Sequence, residues 1–288
     1  MGTDIGPTIG SVFLGSLFAS LLYGISCAQI LYYSTHYPYD RSSLKLLVSV
    51  LWILETVLSC TDVYISWLFL VHDHSNYSLL SDVPSAWIVN NTVASLNVAM
   101  VQTFYVHSVW QLQAGSPYRA LVMTFSESLV LTTFASNLAT TIISSSGQSI
   151  TGAVEVSAVP GLIKNVSAII ADVCICTALI YTLHRRKTGI RQTDGIVQTL
   201  VVYIINRALL TLILQIVLLA AFIISAVRST MFWAIFNSPT CKIYFVCMMA
   251  VLNARNHIVV KNSNVPTSLW IDGVQPEDHQ TALQQSQC

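Results

Sequence analysis

The chain has 288 residues, 54% of them hydrophobic and only 9% charged, with a mean hydropathy of +0.65. A soluble domain carries about 25% charged residues, so this composition excludes an ordinary soluble surface. The formal net charge is zero, which leaves no basic excess to neutralise phosphates and argues against a nucleic-acid partner.

Seven apolar runs are long enough to span lipid: 9–33, 46–70, 86–112, 120–143, 158–183, 196–223 and 231–253. The predicted fold is all-α, a seven-transmembrane-helix bundle over 1–261. A polar, Gln-rich tail follows over 262–288, with Pro266 and Pro276, and is expected to be disordered. Asp4 is the one charged residue before the first run and the first basic residue is Arg41, so the run reads as a retained helix and not a cleaved signal peptide. In it Ser16, Ser20 and Gly24 recur every four residues, a small-residue stripe against which another helix can pack closely.

The second run carries Glu55, Ser59 and Asp62 on one helix face. The third contributes Asn97 and Gln102. The fourth, rich in Ser and Thr, carries Glu127. The fifth opens at Pro160–Gly161 and holds Lys164 and Asp172. The sixth is expected to be capped by Thr193-Asp194-Gly195 and holds Asn206 and Arg207, and the seventh holds Lys242.

Orientation follows from the basic residues, which cytoplasmic loops collect. With the N-terminus outside, the inner segments hold Arg41, Lys45, Arg119, Arg185, Arg186, Lys187, Arg191, Arg255 and Lys261, and the outer segments hold Arg228. The C-terminus is then cytoplasmic. Asn76-Tyr77-Ser78 falls in an outer loop and makes Asn76 a possible glycosylation site; Asn90-Asn91-Thr92 matches the same sequon nearer the membrane, and Asn165-Val166-Ser167 matches it inside the fifth helix. The cysteines Cys27, Cys60, Cys174, Cys176, Cys241 and Cys247 lie in apolar runs and Cys288 ends the chain, so no structural disulfide is expected, nor a zinc site.

Several segments resemble a known family: Gly24 to Lys45 with Gln29, Tyr32, Tyr33, Tyr37, Pro38 and Asp40; Val101-Gln102-Thr103-Phe104-Tyr105; His184-Arg185-Arg186-Lys187-Thr188-Gly189; Tyr203-Ile204-Ile205-Asn206 with Leu209-Leu210-Thr211; and Lys242-Ile243-Tyr244 with Leu252-Asn253-Ala254-Arg255. Together they are similar to domain-of-unknown-function family 6534, uncharacterised seven-helix membrane proteins of mushroom-forming (basidiomycete) fungi. The resemblance implies architecture and no chemistry. The chain departs from the family's usual residues at Glu55, Leu58, His107 and Arg207-Ala208.

Charges inside lipid are costly and face the bundle interior. Glu55, Asp172, Arg207 and Lys242 lie near mid-depth, which suggests pairing across the bundle. Asp62 and Lys164 lie nearer the outer face, and Glu127 nearer the inner one. Asn97, Gln102 and Asn206 could complete a polar centre. Such a network either pairs structurally or forms a ligand or ion site.

The function preferred from sequence is a receptor-like sensor of a small-molecule ligand, with the basic loop Arg185, Arg186, Lys187 and Arg191 facing a cytoplasmic signalling partner. The alternatives are a transporter or proton-translocating protein and a structural membrane protein. A retinal pigment on Lys242 lacks a carboxylate on helix three, and a hydrolase built on His72-Asp73-His74 lacks further ligands. No enzyme activity and no cofactor are expected. The lipid bilayer is the one assured partner, and the plasma membrane is the default location because no retention signal is present.

Overall fold

Lipid offers the backbone no hydrogen bonds, so a chain this apolar satisfies them within helices. The computed structural model describes residues 6–72, 84–113, 118–145, 156–185, 191–228 and 231–262. These form seven long helices and no strand: α1 Gly6–His36, α2 Ser42–Trp67, α3 Ser85–Leu112, α4 Arg119–Ser145, α5 Ala158–Arg185, α6 Arg191–Arg228 and α7 Ala234–Asn262. A single π-helical turn, Leu68–His72, extends α2.

Five of the seven are long and apolar enough to cross a membrane, within Ile9–His36, Ser42–Val71, Ala158–Thr182, Ile205–Val227 and Ala234–Ala254. The two outside that set are α3 and α4. The fourth run's Ser and Thr content points to α4, and α3 joins it because Asn90, Asn91, Asn97 and Gln102 interrupt its apolar run. Many of the hydroxyls on α4 are spent on their own helix: Thr124, Ser128, Thr132, Thr133, Thr140 and Thr141 each donate to a carbonyl three or four residues back. This back-bonding lets a hydroxyl-rich helix exist away from water.

The helices close a ring in chain order, with α7 returning against α1, and α3 leans inward to touch α5 and α7 as well. The outward faces are apolar: Leu21 is 63% exposed, Leu31 67% and Ile142 67%. An apolar belt of this extent matches a hydrocarbon surround. The main core joins Tyr33, Leu51, Val101, Tyr105, Ile175, Tyr244, Phe245 and Met248, and runs from mid-bundle to the end that carries the α1–α2 turn. A smaller cluster of Val12, Ile65, Phe69, Met231 and Ala234 sits at the opposite end.

Three local expectations need correction. In α1, Gly24 and Ser20 are exposed, and a Cβ on Gly24 would meet nothing within 4 Å. The close approach is at Gly15, where a Cβ would come within 2.6 Å of the Ala234 carbonyl oxygen on α7. Of the expected stripe Ser16 alone is buried, and it accepts a hydrogen bond from Ser66 of α2 at 2.7 Å. The stripe fails because a four-residue spacing drifts around a 3.6-residue helix. Next, α6 begins at Arg191, so Thr193-Asp194-Gly195 lies within its first turns and is not its cap; one glycine costs a helix only about 1 kcal/mol. Lastly, α7 starts at Ala234, just inside the expected run 231–253, continues past its end to Asn262, and contains Pro239. Residues 263–288 lie outside the described residues.

Candidate functional site: a buried ionic network beneath a polar cavity

Two polar clusters occupy mid-bundle. In the first, Lys242 of α7 and Glu55 of α2 are both completely buried, with Nζ and Oε2 3.1 Å apart. The ammonium also donates to the Glu55 carbonyl at 2.8 Å and to Ser59 Oγ at 2.9 Å. The ammonium thus has one ion pair and two hydrogen bonds. Asn97 of α3 donates to the other carboxylate oxygen, Glu55 Oε1, at 2.5 Å. One helical turn or two further along α2, Asp62 Oδ1 accepts from Asn90 at 2.9 Å and from Ser238 at 3.2 Å.

The second cluster surrounds Asp172 of α5. Gln102 of α3 donates to Oδ1 at 3.0 Å, Tyr244 of α7 donates to Oδ2 at 2.6 Å, and Gln215 of α6 donates to Oδ2 at 3.5 Å while also bonding the Tyr244 hydroxyl. Four helices thus meet on one carboxylate. Arg207 makes no ion pair with it; its guanidinium lies 3.6 Å from the centre of the Tyr105 ring, a cation–π contact, and its Nε and Nη2 have no hydrogen-bond acceptor.

Of the residues singled out by sequence, Glu55, Ser59, Asn97 and Lys242 come together, as do Gln102 and Asp172, while Asp62 has its own partners. Asn206 does not join: it is exposed on the outer face of α6. Its neighbour Arg207 points inward, and one residue is about 100° of helix rotation, so both cannot. Glu127 accepts from Thr103 at 3.0 Å, away from both clusters. Arg185 and Arg191 stand at the ends of α5 and α6 with side chains outside the described set, and Arg186, Lys187 and Asn76 lie outside the described residues.

A receptor-like reading implies an outward-facing cavity, but sequence reading does not name the residues that line the one above the Asp172 cluster. Two adjoining pockets, of about 740 Å³ and 630 Å³ including open space at their mouths, share Asn91, Asn137, Lys164, Asn165, Leu218 and Asn237. The upper one is walled by Trp87, Phe222 and Trp233, with Trp87 and Phe222 both edge-on to Trp233 at 6.0 and 6.2 Å. The floor of the lower one is Gln102, Gln215 and Tyr244, the three side chains that hold Asp172. Asn137 donates to the Asn91 carbonyl at 3.0 Å, Asn165 to Gly161 at 2.9 Å and Asn91 to Trp87 at 3.0 Å, so their amides are fixed by backbone. A polar residue in each of four apolar runs was the available signal; Asn91 and Asn165 read only as sequon positions, and Lys164 only as a depth.

Among the described residues no group of three His, Cys, Asp or Glu side chains comes together, and Cys27, Cys60, Cys174, Cys176, Cys241 and Cys247 are unpaired.

Residues 168–257 match a family of unknown function, DUF6534. That stretch runs through most of α5, all of α6 and most of α7, and it holds Asp172, Arg207, Gln215, Lys242 and Tyr244. No curated protein and no solved structure matches the chain.

Proposed function

We propose that the protein is a seven-span membrane sensor, N-terminus outside, that binds a small molecule in the Asn- and Lys-lined cavity and reports its presence at the cytoplasmic face. The observation that carries this reading is the shared floor: the residues that close the cavity are the residues that bind Asp172. A ligand touching Gln102, Gln215 or Tyr244 acts directly on a joint between α3, α5, α6 and α7. Binding that favours one arrangement of that joint shifts the bundle between states, which is what a sensor requires. A mostly apolar lining with a few fixed polar groups is the usual character of small-molecule sites, and these two pockets have it. The basic residues Arg185, Arg186, Lys187 and Arg191 then face a signalling partner in the cytoplasm, and the plasma membrane is the location that suits such a role.

Transport is the second reading. It draws on the same mid-depth charges, but Lys242 has an ion pair and two hydrogen bonds and Asp172 is held by three donors. Groups so fully partnered favour holding helices over relaying ions.

The test is a small-molecule screen by thermal unfolding of the protein in lipid nanodiscs, run beside Ala168→Phe, which fills the lower pocket from α5. Compounds that raise Tm in the wild type are expected to lose that shift in the filled variant. Hits unaffected by filling would move the ligand site elsewhere, and a glycan-free Asn76 in a glycosylating host would count against the orientation.

A further inference from the structure

The chemistry of the cavity wall narrows the ligand. Among the described residues that line the two pockets, Lys164 is the one charged side chain, and no carboxylate accompanies it. Asp62 lies in a separate, smaller pocket behind Asn91 and Asn237, bound by Asn90 and Ser238. Asp172 lies below the floor, bound by Gln102, Gln215 and Tyr244. No hydrogen bond or ion pair engages the Lys164 ammonium among the described residues. Lys242, by contrast, has an ion pair and two hydrogen bonds. The indole Nε1 of Trp233, itself fully buried, likewise has no acceptor among the described residues.

Lys164 is half-buried, and an ammonium that faces a mostly apolar wall with no counter-charge is favoured by an anion that enters beside it. The apolar remainder of the wall, Trp87, Phe222, Trp233 and Leu218, offers flat surface for a hydrophobic body. We infer that the cavity takes an anion carried on a small apolar body, its carboxylate or equivalent group held by Lys164 and its body against the Trp87–Phe222–Trp233 wall. This rests on the reading of the cavity as a ligand site. The anion has two sources, a free organic acid or the head of an anionic lipid entering from the bilayer.

The probe is a matched set: 4-phenylbutanoate, its primary amide and 4-phenylbutylamine, each titrated onto the wild type in nanodiscs of zwitterionic phosphatidylcholine, with unfolding temperature as the readout. The carboxylate is expected to raise Tm at concentrations where amide and amine do not. Lys164→Gln is expected to weaken that response at least tenfold, and Lys164→Arg, which keeps the charge, to hold it within a few-fold. A parallel set in nanodiscs containing phosphatidylglycerol separates the sources. Stabilisation there that depends on Lys164, without added acid, assigns the anion to lipid. Three equal responses, a carboxylate response that survives Lys164→Gln, or no response to any probe in either lipid overturns the inference. The cavity itself is judged by Ala168→Phe, with Ala94→Leu as a second filler should the first not fold. Equal responses abolished by filling leave a ligand site without anion preference, whereas responses indifferent to filling remove both readings.

Discussion

The two ends of the bundle use polar side chains in opposite ways. At the end with the α1–α2 turn they tie helices and turn together: Tyr33 donates to Asp40 at 2.8 Å, Tyr37 to the Asn253 carbonyl at 2.9 Å, and Asn253 to the Gln29 carbonyl at 3.0 Å. Lys45 caps the Pro38 carbonyl in the same turn. At the opposite end Asn91, Asn137 and Asn165 each donate to a carbonyl, yet with Asn237 they also line open space, and the Lys164 ammonium has no partner among the described residues. Polar groups that bond each other hold a shape. Polar groups that face a void are arranged for something else to bond. The first end is therefore the fixed frame and the second the receiving one, with the Glu55–Lys242 and Asp172 clusters between them.

The largest effect should come from the layer that joins the two ends. Glu55→Gln leaves Lys242 buried opposite a neutral amide, and Lys242→Met leaves Glu55 charged and unpaired. Each is expected to cost about 3–5 kcal/mol, because an uncompensated buried charge remains. The double variant Glu55→Gln/Lys242→Met removes both charges and should recover most of the loss. Unfolding in detergent of the two single variants and the double checks this. A double variant no better than the worse single one would show that the pair does more than neutralise itself.

That layer also shows what sequence makes legible. The bilayer imposes helices of a given length, so the seven elements and the inward bias of Glu55, Asp172, Arg207 and Lys242 can be read from apolar runs and the cost of charge. Which charges meet depends on helix rotation and tilt, which no run length encodes. Glu55 and Lys242 pair, whereas Asp172 takes three neutral donors and Arg207 a tyrosine face. The rotation that turns Arg207 inward turns Asn206 out. The cavity was the least legible part. It is made of what is missing between α3, α4, α5, α6 and α7, and its asparagines are ordinary residues until their neighbours stop short of them. The residues that carry the family resemblance had a clearer fate: Gln29, Tyr33, Tyr37, Asp40 and Asn253 form the frame.

The next effect probes how the receiving end is kept open. Gly15 lets α1 lie directly against the start of α7, where a Cβ would come within 2.6 Å of a backbone oxygen that cannot rotate away. Gly15→Ala is expected to cost about 1–3 kcal/mol through overpacking, and to displace the Met231–Ala234 segment beside Trp233. A lower unfolding temperature together with altered tryptophan emission would fit that displacement. A loss of stability with unchanged emission would confine the strain to α1 and leave the cavity wall independent of it.

The smallest effect is the most direct test of frame against receiver. Asn253→Ala and Asn137→Ala delete the same side chain, and each removes one amide-to-carbonyl bond between helices at 3.0 Å. Interhelical hydrogen bonds in membrane bundles average about 0.6 kcal/mol and reach about 1.7 kcal/mol. At the frame, Asn253 also sits beside the carbonyl that Tyr37 uses, so its loss should lie toward the upper figure. At the cavity, Asn137 already borders empty space, so truncation enlarges a void that water or ligand can enter and its cost should lie at or below the average. Unfolding of the two variants side by side decides between a graded pair and an equal one. If Asn137→Ala proves as costly as Asn253→Ala, the cavity asparagines are structural ties like those of the frame. If it is nearly neutral for stability yet changes the response to a bound compound, the residue is retained for recognition, and the division of the bundle into a fixed end and a receiving end stands.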